Sequence, residues 1–156
     1  TPMIVPVVIT GVALYASFAK VGLNNTIQGL IMAHSLLAIP MVFLTMSAAF
    51  ARFDANLELA AMSMGSTPVG AFFKVTLPGV KNSVVTGALL SFVTSLDEVV
   101  VTIFVSGANT KTLPMMMWEN LRATIDPTIA VAATFLIILT LGMYVIKEFI
   151  ESRSKD

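Results

Sequence analysis

Four long blocks of apolar residues constrain this chain more than any other feature of its sequence. They cover approximately residues 3–18, 27–50, 80–105 and 128–146. An α-helix rises 1.5 Å per residue, so about 20 residues cross the ~30 Å hydrocarbon core of a bilayer. The last three blocks have this length, and the first is shorter. We therefore predict four membrane-spanning helices, the first of them clipped by the start of the chain.

The composition agrees with a membrane protein. Hydrophobic residues make up 56% of the chain and charged residues 12%, compared with roughly 45–50% and 25% in soluble domains. Mean hydropathy is +0.90. The formal net charge is zero, so no basic surface indicates a nucleic-acid partner. Cysteine is absent, which excludes disulfides and thiolate metal sites. We expect an all-α, polytopic transmembrane helical bundle surrounded by lipid.

The connectors between the blocks set the orientation. A short turn covers residues 20–26, and two long connectors cover residues 52–81 and 106–126. The first long connector shares a side of the membrane with the C-terminal tail. That side carries six basic residues against three on the other side, which predicts a cytoplasmic connector and tail. The six are Arg52, Lys74, Lys81, Lys147, Arg153 and Lys155, and the three are Lys20, Lys111 and Arg122.

The connector at residues 52–81 has the pattern of two short helices separated by a kink. Asp54 is a suitable N-cap, and apolar residues follow at helical spacing. Gly65 can leave the helix with a positive φ. A second helix then begins at Pro68, since proline is favoured in a first turn. We expect this unit to lie along the membrane surface and to turn back into the bilayer at Leu77 and Pro78.

The same connector carries a motif. It reads Glu58, Ala60-Ala61, three residues, Gly65, nine residues, then Val75-Thr76-Leu77-Pro78. This resembles the "EAA" signature of permease subunits of bacterial ABC importers, which reads Glu-Ala-Ala, three residues, Gly, nine residues, Ile-x-Leu-Pro. Leu59 replaces the glutamate of the motif, and Glu58 stands one position earlier. The resemblance implies an ABC importer type I permease fold with a cytoplasmic coupling helix that docks on a separate ATPase subunit.

A second resemblance covers nearly the whole chain and concerns the substrate. Residues 95–102, Ser106-Gly107, Leu113-Pro114 and Ile125-Asp126-Pro127 are similar to the polyamine branch of these permeases. The branch implies uptake of spermidine, putrescine or a similar small organic cation. Alternatives left open are an importer of another solute, such as an amino-phosphonate or ferric ion, and a membrane scaffold subunit that transports nothing.

The family resemblance also implies the domain organisation and the partners. Members usually have six spans, of which residues 1–150 would hold the last four, with a coupling loop at about residues 52–80 and a cytoplasmic tail at 151–156. Two ATPase subunits, a second permease and an extracytoplasmic substrate-binding protein would complete the importer in the bacterial inner membrane. The sequence has no G-x-x-x-x-G-K-[ST] loop. We therefore expect ATP to bind the partner ATPase, and this chain to be neither an enzyme nor a cofactor carrier.

Two acidic residues in the third apolar block suggest a substrate path. Asp97 and Glu98 lie in the outer half of the predicted span, and ionisable groups there usually face a bundle interior or water. On one continuous helix Glu98 shares a face with four hydroxyl residues, whereas Asp97 points about 100° away. The bland alternative is that one acid meets water at the outer mouth and the other bonds a neighbouring span. The candidate path comprises Ser91, Thr94, Ser95, Asp97, Glu98 and Thr102.

Other polar and aromatic residues have structural interpretations. His34 in the second block is expected to be a hydrogen-bonded interhelical residue rather than a substrate or proton site. With one histidine and no cysteine, we expect no metal site. Trp118 and Tyr15 are predicted interfacial anchors, and the run Met115-Met116-Met117 is predicted to serve packing.

Overall fold

The computed structural model describes residues 5–123 and 127–152, and within these ranges every regular element is helical. The predicted all-α class is confirmed. Ile125 and Asp126 of the predicted motif, and tail residues 153–156, lie outside the described residues. The elements are α1 (Val7–Val21), α2 (Ile27–Arg52), α3 (Ala55–Ser63), α4 (Pro68–Ala71), a π-helical segment (Phe72–Thr76), α5 (Leu77–Gly79), α6 (Lys81–Asp97), α7 (Val100–Val105), α8 (Leu113–Ala123) and α9 (Pro127–Ser152).

Two helices are long and apolar enough to cross a membrane. These are α2 over its whole length and α9 over Pro127–Val145. None of the apolar window of α9 is buried, and Val131 and Ile138 are 71% and 64% exposed. Such a continuous apolar surface is unfavourable in water, so lipid or another protein must cover it. Helix α1 is apolar but has 15 residues.

The third apolar block is not one helix, and the prediction of a single continuous span there is wrong. Helix α6 ends at Asp97, Glu98 is extended with φ −78° and ψ 109°, and α7 begins at Val100. Consecutive β-branched valines after two acids favour helix less than the preceding residues do. Broken helices at membrane depth are tolerated where protein buries them or where they line a water-filled cavity.

A helix also occupies part of the connector at residues 106–126, where no element was predicted. Helix α8 has Pro114 in its first turn, a position that proline tolerates because its missing N–H has no helical partner there. The Lys111 ammonium lies 2.6 Å from the Glu119 carboxylate. The Arg122 guanidinium lies 3.7 Å from the centre of the Trp118 ring. These two contacts tie α8 to itself and to the chain preceding it.

The helices pack in two pairs, α1 against α7 and α2 along α6. The predicted turn at residues 20–26 is confirmed, with Gly22 at φ 70° and Asn25 at φ 62°. The backbone N–H of Asn25 donates to the Val105 carbonyl at 2.9 Å, which fixes the turn against the end of α7. The buried cluster between these elements consists of Phe18, Ala33, Val101 and Val105.

Gly11 allows α1 and α7 to approach closely. A Cβ at this position would lie 2.5 Å from Cδ2 of Phe104, which is well inside van der Waals contact. Small residues at helix contacts in membranes serve this purpose. By contrast, a Cβ at Gly142 in α9 would meet nothing within 4 Å.

We predict that Gly11→Ala destabilises the protein and that Gly142→Ala does not. Both substitutions add the same helix propensity, about 1 kcal/mol, but only the methyl group added at Gly11 must displace a packed ring, at a cost of about 1–3 kcal/mol. The measurement is the apparent melting temperature of the detergent-solubilised protein. Equal melting temperatures for the two variants would contradict the close α1–α7 contact.

Candidate functional site

The connector between α2 and α6 forms a compact elbow, defined here as residues 54–80. Its first helix starts as predicted, because the Asp54 carboxylate accepts a hydrogen bond from the backbone N–H of Asn56 at 3.0 Å. Gly65 ends it with φ +93°, as predicted. A Cβ at Gly65 would meet nothing within 4 Å. The backbone conformation, rather than lack of space, therefore requires glycine there.

The second half of the elbow is helical from Pro68 to Gly79. The Thr67 hydroxyl accepts from the backbone N–H of Gly70 at 3.1 Å, which confirms the predicted helix start. The π-helical segment was not predicted; in it Leu77 N–H bonds the Phe72 carbonyl, five residues earlier. Leu77 and Pro78 open α5 instead of ending the helical run. Pro78 fits there because it lies in a first turn.

A buried hydrogen bond braces the two halves of the elbow. The Thr76 hydroxyl donates to Glu58 Oε2 at 2.7 Å, across 18 residues of sequence. Thr76 is 4% exposed, and Ala61 and Ala71 of the same unit are also buried. A hydrogen bond to a charged group is stronger than one between neutral groups. Glu58 thus joins α3 to the π-helical segment, a role that the sequence did not indicate for Thr76.

The outer surface of the elbow carries exposed apolar side chains and two small residues. Met64, Val69 and Phe73 are each more than 60% exposed, and Ala60 and Gly65 are exposed between them. Exposed apolar patches on a rigid unit are typical of a surface that contacts another protein. The signature residues Glu58, Ala60, Ala61, Gly65, Leu77 and Pro78 all lie in this one unit.

We predict that Thr76→Val loosens the elbow and Thr76→Ser does not. Valine keeps the shape but leaves the half-buried Glu58 carboxylate without its donor, at a cost of about 1–3 kcal/mol. Serine keeps the hydroxyl. Limited proteolysis within residues 54–80 should be faster in the valine variant only. Equal cleavage of both variants would show that the Glu58–Thr76 bond does not brace the elbow.

The candidate substrate-path residues do not share one helical face, and that expectation is wrong. Ser91, Thr94 and Ser95 lie on α6, Glu98 lies in the break, and Thr102 lies on α7. Thr94 donates back to the Leu90 carbonyl of its own helix at 2.9 Å. The shared face set Glu98 apart from Asp97 on a continuous helix, and the break removes that distinction.

The break places the two acids in different surroundings. Glu98 is half-buried, and its Oε1 accepts from the backbone N–H of Val101 at 2.7 Å, in the first turn of α7. Asp97 is exposed at the last position of α6. The C-terminal end of a helix carries a partial negative charge. Together with two carboxylates, this end of α6 favours a cation.

His34 connects the two sides of the break. Its Nδ1 lies 2.8 Å from the Ser95 hydroxyl on α6, and its Nε2 lies 3.1 Å from the Thr102 hydroxyl on α7. The expectation of a hydrogen-bonded interhelical histidine is confirmed. Ser95 and Thr102 are therefore brought together, but through a residue of α2 that was not included in the candidate path.

Two open cavities lie beside the break. One, of about 410 Å³, is lined by His34 and Ser95 among apolar residues of α2, α6, α8 and α9. The other, of about 590 Å³, is lined by Asp97 and Trp118 among apolar residues of α6, α8 and α9. Asp97 thus has direct access to open space.

The interfacial role of Trp118 and Tyr15 stays a prediction. Of the methionine run, Met115 is buried and Met116 is exposed.

Within the described residues, two apolar helices have membrane-spanning length and expose apolar surfaces, which is typical of helical membrane proteins. Residues 1–156 match the family described as "binding-protein-dependent transport system inner membrane component". The chain belongs to this family. The predicted family membership is confirmed, and so is the placement of the chain in a membrane.

Three proteins that the chain is similar to are named as transport permeases. The chain is 33% identical over 152 residues to the "spermidine/putrescine transport system permease protein PotC" of Haemophilus influenzae, covering 97% of this chain and 59% of that protein. It is 35% identical over 144 residues to the "putrescine transport system permease protein PotI" of Escherichia coli K12, covering 87% and 50%. It is 27% identical over 160 residues to the "molybdenum transport system permease protein ModB" of Mycobacterium bovis, covering 93% and 60%. The chain thus spans about half to three fifths of these relatives.

Proposed function

We propose that this chain is part of the membrane-spanning permease of an ATP-driven importer, and that the elbow couples a partner ATPase to the membrane helices. The braced elbow carries this proposal. It combines the signature residues in one rigid unit, presents exposed apolar side chains, and continues directly into α2 and α6. A displacement of its surface therefore reaches two membrane helices without passing through a flexible linker.

The proposed assembly has two ATPase subunits, a second permease and an extracytoplasmic binding protein. ATP binds and is hydrolysed on the ATPase subunits, so this chain is not itself an enzyme and holds no cofactor. The elbow and the C-terminal tail face the cytoplasm of a bacterium, as the excess of Lys and Arg on that side supports. The ATP-bound and ATP-free states of the ATPase pair select between outward and inward access.

We propose a polyamine, or a similar small organic cation, as the substrate. Asp97 and Glu98 flank the negative end of α6, and Asp97 lines an open cavity. An ammonium group is attracted to such a site, whereas an oxyanion is repelled. PotC and PotI are named for spermidine and putrescine, and ModB is named for molybdenum. The acidic break thus supports the polyamine branch over an anion importer.

The coupling role is tested by Gly65→Arg with Gly22→Arg as the matched control. Both glycines have positive φ and open space around the missing Cβ, so arginine strains the backbone to a similar extent at each. Only Gly65 lies on the proposed docking surface. We expect Gly65→Arg to abolish putrescine uptake into vesicles that contain the assembled importer, and Gly22→Arg to retain it. Normal uptake by Gly65→Arg, in amounts of protein equal to the wild type, would refute coupling through the elbow.

The cation path is tested by Asp97→Asn and Glu98→Gln. Each keeps the shape and removes a charge, and the amide oxygen introduced by Glu98→Gln can still accept from Val101 N–H. We expect each variant to import about fivefold less putrescine per ATP hydrolysed, a loss of about 1 kcal/mol in stabilisation of the passing cation. Glu148→Gln, an exposed acid near the end of α9, is the control and should be unchanged. Wild-type ratios for both acids would leave the polyamine assignment resting on the relatives' names alone.

A further inference from the structure

The break between α6 and α7 is held from a third helix. His34 on α2 contacts Ser95, in the last turn of α6, and Thr102, in the first turn of α7. These two partners are 61 and 68 residues away in sequence. Within the described residues, these two contacts form a side-chain bridge from one helix to both sides of the break. Thr102 is fully buried, so water does not compete for its hydroxyl.

The two contacts use both nitrogens of the ring. A neutral imidazole has one N–H and one lone pair, so one of the two hydroxyls donates to the ring and the other accepts from it. The Thr102 hydroxyl also lies 3.1 Å from the backbone carbonyl of Glu98.

The chain of contacts ends at the backbone of Glu98. From Nε2 of His34 it runs to the Thr102 hydroxyl and from there to the Glu98 backbone carbonyl. The Glu98 side chain is held separately by Val101 N–H. Asp97 follows Ser95 by two residues on the other side. The His34 ring thus contacts both helices that flank the two acids, and it helps to hold α7 in position relative to α6.

We propose that His34 is a positioning residue of the cation path, which holds the acidic break in its working geometry through Thr102 and does not itself bind the cation. This inference rests on the proposed function. The Asp97 and Glu98 carboxylates contact the substrate, and His34 keeps them in place. If His34 has this role, transport requires the hydrogen bonds of His34 rather than its charge or its bulk.

Three substitutions separate the two hydrogen bonds. Gln places its amide group near the position of Nε2, so His34→Gln keeps a hydrogen-bond partner for Thr102. Asn places its amide near Nδ1, so His34→Asn keeps only the partner of Ser95. His34→Leu keeps the bulk and loses both. The measurement is putrescine imported per ATP hydrolysed in proteoliposomes that contain the assembled importer, supplied with saturating putrescine-loaded binding protein.

We expect about a fivefold lower ratio for His34→Leu and His34→Asn, the scale of one lost buried hydrogen bond, and a ratio within twofold of wild type for His34→Gln. A purely structural role would reduce the amount of complex and leave this ratio unchanged. His34→Gln as defective as His34→Leu would overturn the route through Thr102. Thr102→Val and Thr102→Ser test the same route without altering His34, should the Leu variant not assemble. The valine variant should match His34→Leu, and the serine variant should match the wild type.

The double variant with Glu98→Gln gives the decisive comparison. If His34 acts by placing the Glu98 carboxylate, its loss adds nothing once that charge is gone, and the double variant matches Glu98→Gln alone. Independent effects would multiply to about 25-fold. Multiplied losses overturn the positioning role and leave the acidic path standing. If Glu98→Gln alone has the wild-type ratio, that acid makes no contribution to the path. The failure of the positioning role and the failure of the acidic path are therefore distinguishable.

Discussion

Inside a bilayer each backbone N–H and C=O needs a partner within the protein, because hydrocarbon offers none. Most of this chain meets the requirement with helices. Among the described residues, one stretch inside an apolar block departs from this, between Asp97 and Val100, where the ladder of helical hydrogen bonds is interrupted. There the side chains of Glu98 and Thr102 bond the local backbone, and His34 holds Thr102. The two carboxylates, the open cavities and the irregular backbone therefore occur at the same point of the fold.

The elbow is stabilised in a different way, by short-range capping and one internal bond. Asp54 and Thr67 each satisfy a helix start, Gly65 turns the chain, and Thr76 reaches back to Glu58. These contacts involve residues no more than 18 positions apart in sequence. The unit therefore keeps its shape independently of how the membrane helices are arranged, which is what a surface that transmits a force requires. The apolar side chains on its exposed face take no part in these contacts.

This contrast explains how much the sequence could predict. The cap at Asp54, the positive φ at Gly65 and the helix start before Pro68 depend on local chemistry, so the pattern of residues predicted them. The break after Asp97 has only a weak local signal, the β-branched valines that follow the two acids, and no local pattern shows that His34 will lie beside Ser95 and Thr102. The predicted face of five polar residues was wrong because the prediction assumed that helical periodicity continues through Glu98. Helix α8 was missed because its short length and mixed composition resemble a loop, although Pro114 is a typical first-turn residue.

The two ends of the elbow meet at one point, where the ring of Phe53, just after α2, lies against Gly79, just before α6. A Cβ at Gly79 would lie 2.6 Å from Cε2 of that ring, so the close approach of the two chain ends requires glycine there. With α2 packed along α6, both ends of the elbow join one two-helix block. If the elbow has the proposed coupling role, a force on it would turn α2 and α6 together rather than separate them. His34 and Ser95 both lie within that block, whereas Thr102 lies on α7. The His34–Ser95 contact is therefore internal to the block, and the His34–Thr102 contact joins the block to α7.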